Sequence, residues 1–272
     1  MNEIGIHIRL TSTINDVIEK AISLGLPLFQ TFALTDLGHI IKLEQADIDS
    51  YLRLRRTYFK NLYLHSSYWI NLSRDNQKSY KTLLRELNLA KKLEFTHFIL
   101  HPGAAEIKSK KNAGINILTK HLNSVLSENL PLTILLENTA HGGKNIGSNL
   151  HDFKILLDQI DLPEKLQFCI DTSHAYAYGY DLASEDGLEQ FINILEETVT
   201  LKKIALIHLN DTTEKLGAKI DKHELPGYGH IGKESLKKFI QHPALRDIPI
   251  IMELPKLDEL AEIKIIQEVK NW

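Results

Sequence analysis

The stretch LQFCIDTSHAYAYGYDL (166–182) passes from an apolar run into a turn loaded with polar chemistry. Leu166 to Ile170 are nearly all apolar over a strand's length, the pattern of a strand buried on both faces. Asp171 and His174 then follow where the chain should turn. The same design recurs in EIGIHIR (3–9), LPLFQTFAL (26–34), NLYLHSS (61–67), THFILHP (96–102), LTILLEN (132–138), KIALIHLN (203–210) and IPIIMEL (248–254). Between these runs, segments such as INDVIEKAISLGL and KSYKTLLRELNLAKKLEF place apolar residues at i, i+3, i+4 and i+7, as on helices with one buried face. Eight such βα units in 272 residues predict a (β/α)8 TIM barrel, one domain spanning residues 1–272. An open doubly wound sheet with extra strands is the weaker alternative.

Composition bounds the chemistry. With 43% hydrophobic and 25% charged residues, the chain has the balance of a soluble globular protein. A net charge of −3 does not announce a nucleic-acid binder, yet bound cations could still hold phosphate against an acidic surface. The single cysteine, Cys169, rules out an intrachain disulfide and a thiolate cluster, and its place in FCI suits a small buried hydrophobe. MNEIGIHIRL lacks the basic and apolar regions of a signal peptide. No apolar run approaches the roughly 18 residues of a membrane span. A cytoplasmic protein with no membrane partner is expected.

Barrel strands carry their chemistry at their C-terminal ends. Here those ends supply His65, His101, Glu137, Asp171 with His174, His208 and Glu253, and the loop after strand seven adds Asp221 and His223. Singly, each has an ordinary explanation. A strand-end histidine is more often a hydrogen-bonded core residue than a ligand. Asp171 suits the N-cap of the next helix, with Ser173 competing, and Glu137 could pair with a lysine. Six successive strands ending this way is harder to explain, because carboxylates and imidazoles crowded at one mouth need cations to hold them. The donor set suits zinc, and manganese accepts the same groups. Nine donors exceed the four positions of one zinc and fit two or three ions. Two ions about 3.5 to 4 Å apart can acidify a shared water and clamp both oxygens of an in-line displacement at phosphorus. That points to phosphoester hydrolysis. Of the other histidines, His39, His121, His151 and His242 read as surface residues, and His97 begins strand four. His141 and His230 sit in glycine-containing loops near the mouth, and His7 on strand one is open to an interior position.

Together these stretches resemble the endonuclease IV family, metal-dependent hydrolases that cut DNA at abasic sites. The resemblance is carried by LHSSYWINL (64–72), FILHPGA (98–104), LLENTA with its following glycines (135–143), CIDTSHAYAYGYDL (169–182), HLNDTTEKLGAKIDKHELPGYGHIG (208–232) and MELP (252–255), in order along the chain. It implies three ions, usually zinc. One would be held by His65, His101 and a bridging, catalytic Glu137, and a second by Glu137, Asp171, His208 and Glu253. A third would take His174, Asp221 and His223. The resemblance also implies hydrolysis 5′ to abasic sites in double-stranded DNA, leaving a 3′-hydroxyl and a 5′-deoxyribose phosphate in base excision repair. Removal of 3′-blocking groups belongs to the same expectation, as does a monomeric enzyme. An abasic nucleotide loses little stacking when it leaves the helix, which helps such enzymes select it. Tyr68 matches a family tyrosine at the DNA-binding surface, with rim packing beside Trp69 as its ordinary alternative.

The loops depart from the family. After strand two, ALTDLGHIIKLEQADID (33–49) lacks the arginine, proline and tryptophan of the family's DNA-entering segment, and RLTST (9–13) replaces a small glycine-rich loop. Lys222 stands where an arginine is usual, keeping the charge for DNA binding but not the bidentate fork. Ser173 replaces a frequent cysteine, and Leu225, Pro226 and Tyr228 replace more polar residues. Two rivals share the core. A single-metal sugar isomerase or epimerase would use Glu137, Asp171, His208 and Glu253, but leaves His65, His101, His174, Asp221 and His223 without work. A lesion-binding protein without turnover gains no support from an intact Glu137.

Overall fold

The computed structural model describes residues 2–34, 41 and 43–272. Strands β1 (Ile4–Ile6), β2 (Gln30–Phe32), β3 (Tyr63–His65), β4 (His97–Leu100), β5 (Thr133–Glu137), β6 (Leu166–Asp171), β7 (Ile204–His208) and β8 (Ile250–Met252) each fall inside one of the apolar runs. They pair in parallel in the order β1-β8-β7-β6-β5-β4-β3-β2. β1 and β2 then meet at the rim through a parallel bridge between His7 and Gln30, where the Ile8 N–H donates to the Gln30 carbonyl over 2.8 Å. The sheet therefore curls onto itself as a (β/α)8 barrel, and the open doubly wound alternative falls away. Helices including Ile14–Ser23, Gln77–Lys92, Lys111–Ser127 and Glu185–Thr198 wrap the outside and bury their apolar faces against the sheet. Thr13, from the RLTST segment, caps the first of these reciprocally with Asp16. Among the described residues, no helix is long and apolar enough to cross a membrane.

Strand alternation organises the interior. Leu28, Tyr63, Ile99, Leu135, Cys169, Leu206 and Ile251 form a small apolar cluster of their own, one residue from each of seven strand segments. Side chains two residues apart share a face of a strand. Two positions beyond each of these apolar plugs stand Gln30, His65, His101, Glu137, Asp171, His208 and Glu253. On β1 the plug position is Gly5, where a Cβ would stand 2.2 Å from the Leu28 carbonyl oxygen, and His7 follows two residues later. The barrel is thus filled by an apolar layer with a polar layer directly above it.

Two elements have no counterpart in the apolar pattern. A short helix, Thr172–Tyr178, starts immediately after β6. An antiparallel ribbon pairs Asp211 with Glu224 and Thr212 with His223 above β7. His121, expected on the surface, is half-buried: its ring stacks on Tyr80 at 5.0 Å and its Nδ1 donates to the Leu72 carbonyl over 2.9 Å. His97 does lie at the far end of the barrel, stacked on Tyr63 at 4.7 Å.

Candidate metal centre

Glu137 stands at the centre of the polar layer, wholly buried. His65 Nε2 and His101 Nε2 each lie 2.9 Å from its Oε2, while His208 Nδ1 lies 2.9 Å from its Oε1. One carboxylate thus faces two donor sets through different oxygens. Asp171 divides its oxygens as well. Oδ1 accepts the His174 N–H over 2.8 Å and so caps the short helix, while Oδ2 lies 3.6 Å from His223 Nε2. The N-cap explanation and the ligand explanation are therefore compatible in this residue. Asp221 Oδ1 reaches His174 Nε2 at 3.1 Å and His223 Nε2 at 3.3 Å. Glu253 Oε2 lies 3.6 Å from His223 Nδ1 and 3.7 Å from His208 Nδ1. The structure brings all nine predicted side chains into one cluster.

The donor atoms group in a way that suits cations. Those of His65, His101 and Glu137 lie within 4.8 Å of one another, as do those of Glu137, Asp171, His208 and Glu253, and those of Asp171, His174 and His223. His65 Nδ1 donates to the Ser66 carbonyl and His174 Nδ1 to the Asn138 carbonyl, each over 2.8 Å. A carbonyl can only accept, so in the neutral imidazole each Nε2 is left with its lone pair. His174 Nε2 and His223 Nε2 are buried without a hydrogen-bond partner. Buried ring nitrogens that face a carboxylate without making a hydrogen bond to it are an arrangement a divalent ion satisfies. Burial opposes ionisation at Glu137, but His208 and His101 hold its carboxyl well below the usual carboxylate range. Burial also opposes the charge on Glu253, where His208 and His223 bring the carboxyl down to about 2 despite the nearby Glu137. The histidines thus favour the ionised form of Glu137 and Glu253, the form a cation binds. Burial pushes the Cys169 thiol up to about 12, which keeps it protonated in the layer beneath.

A shell of hydrogen bonds orients these groups, and its members drew no attention in the sequence. Asn138 Oδ1 accepts the Asp171 N–H over 2.7 Å, and Asn210 Nδ2 donates to Asp171 Oδ2 over 2.6 Å. Glu86, on the helix Gln77–Lys92, accepts the Ser67 N–H over 3.0 Å and the Ser67 hydroxyl over 2.6 Å, which pins the turn between His65 and Tyr68. Asp211 accepts N–H groups from Thr212, Gly227, Gly229, Ile231 and Gly232 and so folds the loop that carries Asp221 and His223.

Above the cluster opens a cleft of about 490 Å³, lined by His7, Arg9, Tyr68, Lys222, Pro255 and the outer ligand candidates. Tyr68 is 70% exposed and Trp69 69% exposed, so neither is packed away at the rim. The nearest ring to Tyr68 is Phe32, at 5.2 Å. Lys222 projects outward, its ammonium 3.8 Å from Glu214. His141 lines an adjoining cleft and donates from Nδ1 to the Lys219 carbonyl, while His230 is exposed. Residues 35–40 and 42 of the altered stretch after β2, His39 among them, lie outside the described residues.

A family model described as "Xylose isomerase-like TIM barrel" matches residues 18–272. A "Probable endonuclease 4" from Thermosipho africanus is 38% identical over 209 residues, covering 75% of this chain and 73% of that protein. Its namesake from Thermosipho melanesiensis is 32% identical, with 100% of this chain and 98% of the relative covered. The crystal structure of endonuclease IV from Thermus thermophilus matches at a TM-score of 0.82 and 30% identity, over 98% of this chain and 99% of that one. A D-tagatose 3-epimerase-like protein, 16% identical with a TM-score of 0.75 over 99% and 96% of the two chains, shares the fold.

Proposed function

The chain belongs to the endonuclease IV family of xylose isomerase-like TIM barrels, and on that premise we propose that it is a metal-dependent hydrolase cleaving double-stranded DNA 5′ to abasic sites. Cleavage leaves a 3′-hydroxyl and a 5′-deoxyribose phosphate, the incision step of base excision repair, and 3′-blocked ends are substrates of the same chemistry. The active unit is one chain, with residues 1–272 acting as a single domain. The observation that carries this reading is the convergence of nine ionisable side chains in one cluster beneath the cleft, with the Nε2 atoms of His174 and His223 facing Asp221 Oδ1 at 3.1 and 3.3 Å but making no hydrogen bond.

In this reading His65, His101 and Glu137 hold one zinc ion, and Glu137, Asp171, His208 and Glu253 a second. His174, Asp221 and His223 hold a third, and Asp171 Oδ2 is near enough to His223 to share it. Manganese would be accepted by the same donors. Bound there, divalent ions supply Lewis acidity toward a phosphoryl oxygen at neutral pH. The protein's own groups do the rest. Glu137 keeps the first two donor sets in fixed relation through its two oxygens. The main-chain carbonyls of Ser66 and Asn138 keep His65 and His174 turned to the cluster. Tyr68 offers an exposed ring at the mouth for the sugar or base beside the lesion, and Lys222 offers a positive charge to the backbone. A single-metal isomerase would engage only the second set, which leaves the first and third without a role.

The test is incision of a duplex carrying one tetrahydrofuran residue, an abasic analogue that cannot undergo β-elimination. The zinc-loaded protein is expected to cut 5′ to the analogue and leave an end that a polymerase extends, and Glu137→Gln is expected to lose at least 100-fold, about 3 kcal/mol of barrel-mouth chemistry. Intact DNA with fully loaded wild type would contradict the assignment.

A further inference from the structure

We propose that Gln30 is a positioning residue that decides which nitrogen of His208 and which oxygen of Glu253 face the metal centre. The inference rests on the metal reading above. Gln30 lies on β2, wholly buried inside the barrel, where an amide is tolerated only with its hydrogen bonds made. Its Nε2 stands 2.7 Å from Glu253 Oε1. An ionised carboxylate only accepts, so the amide nitrogen must face Glu253 and the flip of the side chain is determined. Gln30 Oε1 then lies 2.8 Å from His208 Nε2. That oxygen also only accepts, so His208 carries its proton on Nε2. In the neutral ring that a metal ligand must be, Nδ1 is then the atom with the lone pair, on the side of Glu137 Oε1 at 2.9 Å and Glu253 Oε2 at 3.7 Å.

The second amide proton of Gln30 meets His7 Nδ1 at 2.9 Å, which leaves the His7 proton on an Nε2 without a partner. One side chain therefore sets three neighbours at once. Without it, the acceptor left to a neutral His208 is Glu137 Oε1, and the proton would move to Nδ1, on the side where a ligand lone pair is required. His65 and His174 are protected from that failure by main-chain carbonyls, whereas for His208 the acceptor is a replaceable side chain. Glu253 is steered in the same way: Gln30 engages Oε1, and Oε2, which also accepts from Asn210 Nδ2 over 3.3 Å, faces His208 and His223.

The experiment uses the full chain loaded with zinc and labelled with ¹⁵N-histidine. In the wild type, long-range ¹H–¹⁵N spectra are expected to show His208 protonated at Nε2 and bound to metal through Nδ1. Metal bound through Nε2 would overturn the proposal with no variant needed. In Gln30→Met, which keeps the length but not the amide, one zinc equivalent is expected to be lost to a chelator series on the order of 10- to 100-fold more readily. The remaining zinc is expected to stay bound as in the wild type, with an unchanged circular dichroism spectrum. Uniform loss of all zinc, or retention of every equivalent at wild-type affinity, would also overturn it. A wild type that binds no zinc would remove the metal reading itself, a result distinct from either.

Discussion

Asp211 is wholly buried, and five backbone N–H groups converge on its carboxylate. Four of them lie 16 to 21 residues further along the chain, on the far side of the loop that delivers Asp221 and His223. Asp211→Ala leaves those donors without an acceptor, and the expected cost is about 3 kcal/mol in urea unfolding, since charged hydrogen bonds are worth about 1.5 to 3 each and water can enter to replace some. The same variant is expected to bind the third ion more weakly, because the loop no longer holds His223 against Asp171. Asp211 was not legible as an organiser in HLNDTTEK: its partners are main-chain groups brought near only by the fold. The nine ligand candidates were legible because each is an ionisable residue at a strand end or in one identified loop. His7 and Gln30 were within reach of the same logic. Both stand two residues beyond an interior plug, Gly5 and Leu28, as His65 stands two beyond Tyr63.

At the scale of elements, the eight strands were legible because burial on both faces makes each an unbroken apolar run. The ribbon was not, because main-chain pairing over two residues leaves no periodicity to detect, and the short helix after β6 was marked in the sequence only by the capping residue Asp171. β1 also shows what alternation demands. A Cβ on Gly5 would stand 2.2 Å from the Leu28 carbonyl oxygen and 2.5 Å from Leu28 Cδ1, so β2 would have to move. Gly5→Ala is expected to destabilise the protein by about 3 kcal/mol, at the upper end of overpacking costs, since backbone is what must give way. Chemical denaturation of the two proteins would show it as a lower midpoint with an unchanged slope. β4 places a histidine at each end: His101 meets Glu137 just past one end, while His97 is half-buried at the other.

Burial lowers His97 from 6.5 to about 4, so the unfolded chain binds its proton more readily than the folded one. Its contribution is fully present above the unfolded value and is lost as pH falls toward the folded value. Between pH 6.5 and 4.5 that loss is expected to be about 2 kcal/mol. Measured in chelator, to remove any metal linkage, His97→Phe should show a shallower acid decline than the wild type. An equal decline would contradict the assignment of this acid sensitivity to His97.

For the molecule as a whole, the barrel buries carboxylates and imidazoles in its mouth on a chain of net charge −3. Such a layer is held together either by protons on the histidines or by cations, and cations that bind only the folded state add to its stability. The overall architecture was legible from the apolar runs, but the closing contact between His7 and Gln30 was not, because a single bridge carries it. The central claim is that the mouth is a multinuclear metal site. Its most direct test is a crystal of the zinc-loaded protein measured on both sides of the zinc absorption edge. Three anomalous peaks are expected, one against each donor set, with the first two flanking Glu137. A single peak at Glu137, Asp171, His208 and Glu253, or none at all, would contradict it.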